Sequence, residues 1–299
     1  MPAVLWLPAR RHLGALAAQV PRLRALLSTA TRRPDSDSGT VALLRQVFDP
    51  LPAPLPTAAL TRRVDAPQDH AGRWLRADPC HLRVEIAGVR MLACGDLGLT
   101  PDEVEAFAST LQPLFADAGW RWHAASPQRW YVQPDADHAR LGGDAPEQVL
   151  GAYIDHALPS GDAGRATRRW LNELQMALHD HPLNRERRGR GLPELNSLWL
   201  HGDGIAPTSL SARVASVWSQ DALVLGAATL AGASLGVHDT VPVPASGVLV
   251  DARDANGRAV RWIEAMLRAG RALDLALESG ERFAWRPWHR LRVWRREPA

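Results

Sequence analysis

The chain contains no lysine; all 35 of its basic residues, in a length of 299, are arginine. So uniform a choice reads as a coding bias rather than as selection for phosphate-binding forks, although arginine does grip phosphate with two prongs. The formal charge of +3 and pI near 9.4 would suit a nucleic-acid partner. Acidic residues interrupt the basic runs along the chain, however, so no nucleic-acid partner is expected. Cysteine is scarce: Cys80 and Cys94 form no CxxC pair and no zinc set, which supports neither a disulfide framework nor a cysteine-based metal site. Both read as small core residues. Long apolar runs are missing too. The longest uncharged apolar stretch, residues 222 to 237, falls short of the roughly 20 residues that span a bilayer and carries three glycines. The N-terminus has no charged start leading to an apolar core and a small-residue cleavage site, so a mature, soluble, cytoplasmic protein without a membrane partner is expected.

What is present is ordinary for a globular chain: 46% hydrophobic and 22% charged residues. Twelve tryptophans stand against two tyrosines and four phenylalanines, and scattered tryptophan mostly supplies core area. "AVLWLP" at 3 to 8 reads as a buried strand, followed by a helical pattern that Pro21 interrupts. A Pro-rich connector around a short helix occupies 49 to 70. From Trp74 the pattern changes to two strands, a helix and two strands through Gln133. That helix is announced by Thr100 as N-cap, Pro101 and Glu103, with Val104, Phe107, Leu111 and Leu114 on its core face. Helical segments follow at 146 to 158 and 164 to 191, then a strand at 196 to 204 running into a glycine-rich turn. "DALVLGAATLAGASLGV" at 221 to 237 reads as strand, turn and small-residue helix, and the tail from 273 as a hairpin-like pair with a basic, Trp-rich end. The expected architecture is α/β: an N-terminal core part at 1–70, an inserted α+β cap with a helix on an antiparallel sheet at 71–190, and a core continuation with the tail at 191–299.

The chemistry-bearing residues concentrate in "LHDHPLNRERRGRGLPELNSLWLHGDG", residues 178 to 204. His179 and His181 flank Asp180, but positions i and i+2 diverge on a helix, so they make only weak metal candidates with His201 and Asp203. The plainer alternative is a helix terminus in which His181, Pro182 and Asn184 bind exposed carbonyls. "HGDG" lacks the lysine and hydroxyl of a phosphate loop, no GxSxG elbow exists, and His238-Asp239-Thr240 reads as a turn.

The same stretch resembles the segment of archaeal-type, cofactor-independent phosphoglycerate mutases in which an HPxNxxR element leads to an asparagine, a strand of the form IWLWGxG and a proline. The matching positions are His181, Pro182, Asn184, Arg187, Asn196, Leu198, Trp199, Leu200, Gly202, Gly204 and Pro207. "LRADPCHLRVEIAG", "GDLGLTPDEVEAFASTLQPLF" and "QRWYVQ" follow the order of that family's inserted cap, and the resemblance runs from about 74 to 240. It implies an incomplete alkaline-phosphatase-like core. Those mutases use two divalent metals and a Ser or Thr nucleophile held by an N-terminal Asp-Gly motif and later Asp/His motifs. Here the first strand leads into "ARRHLG" and the later Asp-x-x-x-His pattern is missing, so no cofactor is expected. Over its whole length, including the "WRPWHRLRVWRR" end at 285 to 296, the chain is also similar to the bacterial group described as RpfE-type regulatory proteins. The resemblance therefore implies a catalytically degenerate mutase relative acting as a regulatory or binding protein. Its partner would be a protein or a phosphorylated small molecule, the latter met by His181, Asn184, Arg187 and Asn196. Two alternatives stand beside it: a metal-dependent mutase or phosphatase using Mn, Zn or Mg with His179, His181, His201, Asp203 and His238, and a protein-interaction module built on the C-terminal tail.

Overall fold

The computed structural model describes residues 2–135, 141–236, 247–254 and 256–292, and the chain divides into two compact units, Met1–Leu51 with Pro207–Ala299, and Pro52–Ala206. Expected features at His238, Asp239 and Thr240, and in the tail beyond Arg292, lie outside the described residues.

The first part of the discontinuous unit contains β1 (Ala3–Leu7), α1 (Arg10–Gln19), α2 (Pro21–Thr29), β2 (Thr31–Arg33), α3 (Thr40–Val47) and β3 (Phe48–Asp49). Pro21 divides the first helical pattern, as expected: lacking an N–H, it opens α2 at a position where that donor would be orphaned anyway. In the polar segment after Ala30, Thr31–Arg33 pairs with a later strand; three exposed residues carry too little apolar signal to announce an edge strand.

The middle unit follows as α4 (Thr57–Asp65), β4 (Arg73–Glu85), β5 (Gly88–Cys94), α5 (Pro101–Asp117), β6 (Arg121–Ala124), β7 (Trp130–Gln133), α6 (Pro146–Val149), α7 (Gly161–His179), α8 (Pro182–Gly189) and β8 (Ser197–Ile205). The strand-strand-helix-strand-strand pattern is present, and Thr100 and Glu103 form both arms of the capping box. β8 pairs antiparallel along β4 from Arg73 to Cys80, completing a five-stranded sheet. The unit is thus wider than the expected 71–190, since α4 packs on β4 and β8 and the latter belongs to its sheet. Phe107, Phe115, Trp130, Leu174 and Leu198 form its core, with Phe115 stacked among Trp120, Trp122 and Trp170.

The chain returns through β9 (Ser211–Ala212), β10 (Ser216–Trp218), α9 (Ala222–Leu230), β11 (Ser234–Leu235), β12 (Val248–Asp251), α10 (Gly257–Arg268), β13 (Leu273–Leu277) and β14 (Arg282–Trp285). A seven-stranded sheet runs β11-β10-β12-β1-β13-β14-β2; its first five strands are parallel, and β14 is antiparallel to both neighbours. This is the α/β core expected from the alternation of strand and helix. The segment 221–237, expected to open as strand and turn before a helix, is helix from Ala222 to Leu230: Asp221 caps it, accepting from the Leu223 N–H, and its uniformly apolar composition gives no period by which to choose. Leu5, Leu7, Leu16, Leu23, Val250 and Trp262 pack the core, and Trp6, Trp74, Trp130, Trp199 and Trp262 are all fully buried, as the tryptophan count foretold. Among the described residues no helix is long and apolar enough to cross a membrane.

Candidate functional site

In an open parallel sheet the strand carboxyl ends gather loops and helix N-termini, which makes that edge the default place for ligand chemistry. Here β10 leads into Ser219 and Asp221, β12 ends at Asp251 and leads into Arg253, and β13 leads into Glu278. The centre of this edge is the Arg253 guanidinium. Its Nε and Nη2 donate to the two oxygens of Asp251 at 2.8 Å each, and Nη2 also donates to Asp221 Oδ2 at 2.8 Å. Nη1 donates to Thr40 Oγ1 at 2.6 Å and lies 3.7 Å from Glu278 Oε1. The Trp6 ring lies beneath it, 5.6 Å from centroid to guanidinium carbon.

Burial works against the charge of Arg253, but the carboxylates outweigh it and hold its pKa above the ordinary value. The two aspartates accept further bonds: Asp251 from the Ser219 hydroxyl at 2.8 Å, and Asp221 from the Leu223 N–H at 2.8 Å. Burial, reinforced by Asp251, raises the pKa of neighbouring Asp254.

A pair of divalent metals would need these carboxylate oxygens free, with imidazole donors beside them. Asp251 and Asp221 instead face a fixed guanidinium, and among the described residues no group of three or more His, Cys, Asp or Glu is arranged to hold a metal ion. The residues present do not fit the metal pair of the resembled mutases. None of this edge was singled out in the sequence. The available signal was "VDARDANGR", an apolar strand ending in alternating carboxylates and an arginine.

The residues that were singled out lie in the middle unit and are bonded to the protein itself. His181 caps α8, its Nδ1 accepting from the Leu183 N–H at 3.3 Å, and its ring packs 4.4 Å from that of Phe107. Burial lowers its pKa. The Asn184 amide, 1% exposed, donates to the carbonyls of Leu178 and Leu195 and accepts from the Leu195 N–H. It thereby ties the end of α7 to the chain entering β8. The fully buried Arg187 donates to Glu103 at 2.7 Å and to the carbonyls of Leu97 and Pro193. Burial opposes ionisation of Glu103, but the Thr100 N–H and Arg187 outweigh it and lower its pKa. Asn196 accepts from the Leu82 N–H at 2.8 Å and donates to its carbonyl at 2.7 Å, so a side-chain amide continues the β4–β8 ladder.

The weak metal candidates are separated in the same way. His179 is exposed at the end of α7, His201 Nε2 lies 2.9 Å from Asp78 Oδ2, and Asp203 takes a two-pronged grip from Arg73 at 2.8 and 2.7 Å. Burial opposes ionisation of Asp78, but Arg76 and His201 hold its pKa below the usual carboxylate value. The glycines of "HGDG" answer a packing demand. A Cβ on Gly202, at φ +67°, would lie 2.9 Å from Thr57 Cβ, and one on Gly204 2.8 Å from Pro56 Cβ. The start of α4 occupies the space their missing side chains leave.

No protein-family model matches the chain. A stretch of 63 residues, 21% of the chain, is 35% identical to the 2,3-bisphosphoglycerate-independent phosphoglycerate mutase of Methanothrix thermoacetophila, covering 16% of that protein. A stretch of 66 residues, 22% of the chain, is 35% identical to the Geobacter sulfurreducens protein named "Probable 2,3-bisphosphoglycerate-independent phosphoglycerate mutase", again covering 16% of it. Among solved structures the PH0037 protein of Pyrococcus horikoshii aligns over 95% of this chain and 87% of its own, with 11% identity and a TM-score of 0.47. The cofactor-independent phosphoglycerate mutase of Thermoplasma acidophilum aligns over 95% and 89%, with 15% identity and a TM-score of 0.36. The chain is a mixed α/β protein by its own strands and helices, and about a fifth of it is similar in sequence to 2,3-bisphosphoglycerate-independent phosphoglycerate mutases, of which it spans 16%.

Proposed function

We propose that this protein is a phosphoglycerate-mutase-like pseudoenzyme of the RpfE-type bacterial group, acting in the cytoplasm as a regulatory or binding protein. One observation carries the catalytic half of that reading: Arg253 fills the carboxyl edge of the parallel sheet and binds the carboxylates a metal would need. The motif residues support it from the other unit. Arg187 and Asn184, the strongest candidate phosphate donors, spend their hydrogen bonds on Glu103 and on backbone carbonyls, so their retention follows from folding rather than turnover. The ligand or partner would then be met elsewhere, by a phosphorylated small molecule or another protein. The test is the interconversion of 2- and 3-phosphoglycerate by protein supplied with Mn, Zn or Mg, with bound metal measured in the same sample. The reading expects neither turnover nor stoichiometric metal. Turnover abolished by Asp251→Asn would instead support the metal-dependent alternative.

A further inference from the structure

The only two cysteines of the chain, separate in sequence, are directly opposite each other in space. Cys80 on β4 pairs with Cys94 on β5 in the antiparallel register. Which kind of pair this is can be read from the neighbouring bonds. The Gly95 N–H donates to the Pro79 carbonyl at 2.8 Å, so positions 79 and 95 form a hydrogen-bonded site. The ladder alternates, so positions 80 and 94 form a non-hydrogen-bonded site. The Cys80 carbonyl agrees: it accepts from the Asn196 N–H on the opposite side of β4 from β5. At such sites facing Cα atoms stand about 4.5 Å apart with side chains on one face, within the roughly 4.4–6.8 Å that a disulfide spans. Both thiols are free and pack in one cluster with Met91 and Trp199; Cys80 is buried and Cys94 partly exposed. The proximity is felt electrostatically as well: burial raises both thiol pKa values, and Cys80 raises that of Cys94 further.

We propose that Cys80 and Cys94 form a reversible cross-strand disulfide, making the base of the β4–β5 hairpin an oxidation site. The oxidant is hydrogen peroxide. The partly exposed Cys94 thiolate attacks one peroxide oxygen, giving a sulfenic acid and, after proton transfer, one water; the Cys80 sulfur then displaces the hydroxyl, forming the S–S bond and releasing a second water. Two thiols lose two electrons, and the peroxide gains them. Burial keeps both sulfurs protonated, so the reaction is slow at neutral pH and speeds up as pH rises. The bond pins the strand that leads through Gly95 to the Leu97 carbonyl held by Arg187. Neither the mutase-like reading nor its failure bears on this site.

The test treats the folded, full-length protein with hydrogen peroxide, blocks remaining thiols, and maps peptides without reduction. The expected result is a peptide pair joined through Cys80 and Cys94, in monomeric protein, reversed by dithiothreitol and accompanied by a rise of several degrees in Tm. Cys94→Ala and Cys80→Ala are each expected to show no such rise. Circular dichroism verifies that both variants fold, and if either fails the native peptide map alone decides. Intermolecular dimers, Cys94 ending as sulfinic acid with Cys80 still a thiol, or both thiols surviving conditions that oxidise the urea-unfolded chain would each overturn the proposal.

Discussion

Arg253 and Asp251 form a two-pronged ion pair at the carboxyl end of β12, Nε to Oδ1 and Nη2 to Oδ2, each at 2.8 Å. The arginine side chain is 9% exposed and the aspartate 5%, so neither charge has water to fall back on. The pair sets the character of the whole edge. A guanidinium among carboxylates offsets part of their charge and fixes the orientation of Asp251.

Removing the arginine alone leaves Asp251 buried without its counter-ion and takes an ion-pair partner from the part-exposed Asp221. Arg253→Met is expected to cost about 3–5 kcal/mol, the usual range for breaking a buried pair from one side. Urea unfolding followed by circular dichroism measures it. Adding Asp251→Asn should recover part of the loss, and a double variant as unstable as the sum of the singles would show that the two groups are not coupled.

Arg187 holds Glu103, the Leu97 carbonyl and the Pro193 carbonyl together inside the middle unit. Arg187→Met should likewise cost about 3–5 kcal/mol, and Arg187→Lys less, because an ammonium keeps the charge but not the planar fork. A variant that folds with wild-type stability would mean the contacts to Glu103 and the carbonyls carry little.

Asn184 and Asn196 each complete backbone pairing with a side-chain amide. Asn184→Ala leaves buried carbonyls and an N–H without partners and is expected to cost about 2–3 kcal/mol, with Asn196→Ala costing less, since its site is only partly buried. Equal unfolding midpoints for wild type and Asn184→Ala would refute the structural role.

His181 and His123 both have lowered pKa values, in each case chiefly through burial, with Arg62 adding to the effect on His123. A depressed histidine favours folding while it stays neutral, so its contribution is present above the unfolded value of about 6.5 and is lost as pH falls through the folded value. Unfolding free energy should therefore decline from pH 7.5 toward 5. His181→Asn keeps a capping side chain and removes one titrating group, so the decline should become shallower. An unchanged slope would contradict this assignment.

Much of the middle unit was legible because its signals are local. Thr100, Pro101 and Glu103 announce a helix within four consecutive positions, and alternation around Gly88 announces a hairpin. Asn184, Arg187 and Asn196 were legible as unusual residues, but their partners at Leu195, Leu97 and Leu82 lie up to 114 positions away, beyond any local pattern. The same distance hid the carboxyl edge. Arg253 reaches Asp221 across 32 positions and Thr40 across 213, and only the parallel sheet brings them together. The opening of 221–237 as helix rather than strand is not legible because a run of Ala, Leu, Val and Gly presents no polar face to fix a period.

The most direct test of the account is calorimetric titration of Mn into the folded protein, run beside an assay for conversion of 3- to 2-phosphoglycerate. With Arg253 holding Asp251 and Asp221, neither stoichiometric binding nor turnover is expected. Tight one- or two-site binding together with turnover, both lost in Asp251→Asn, would contradict the account and place an active centre at the end of β12.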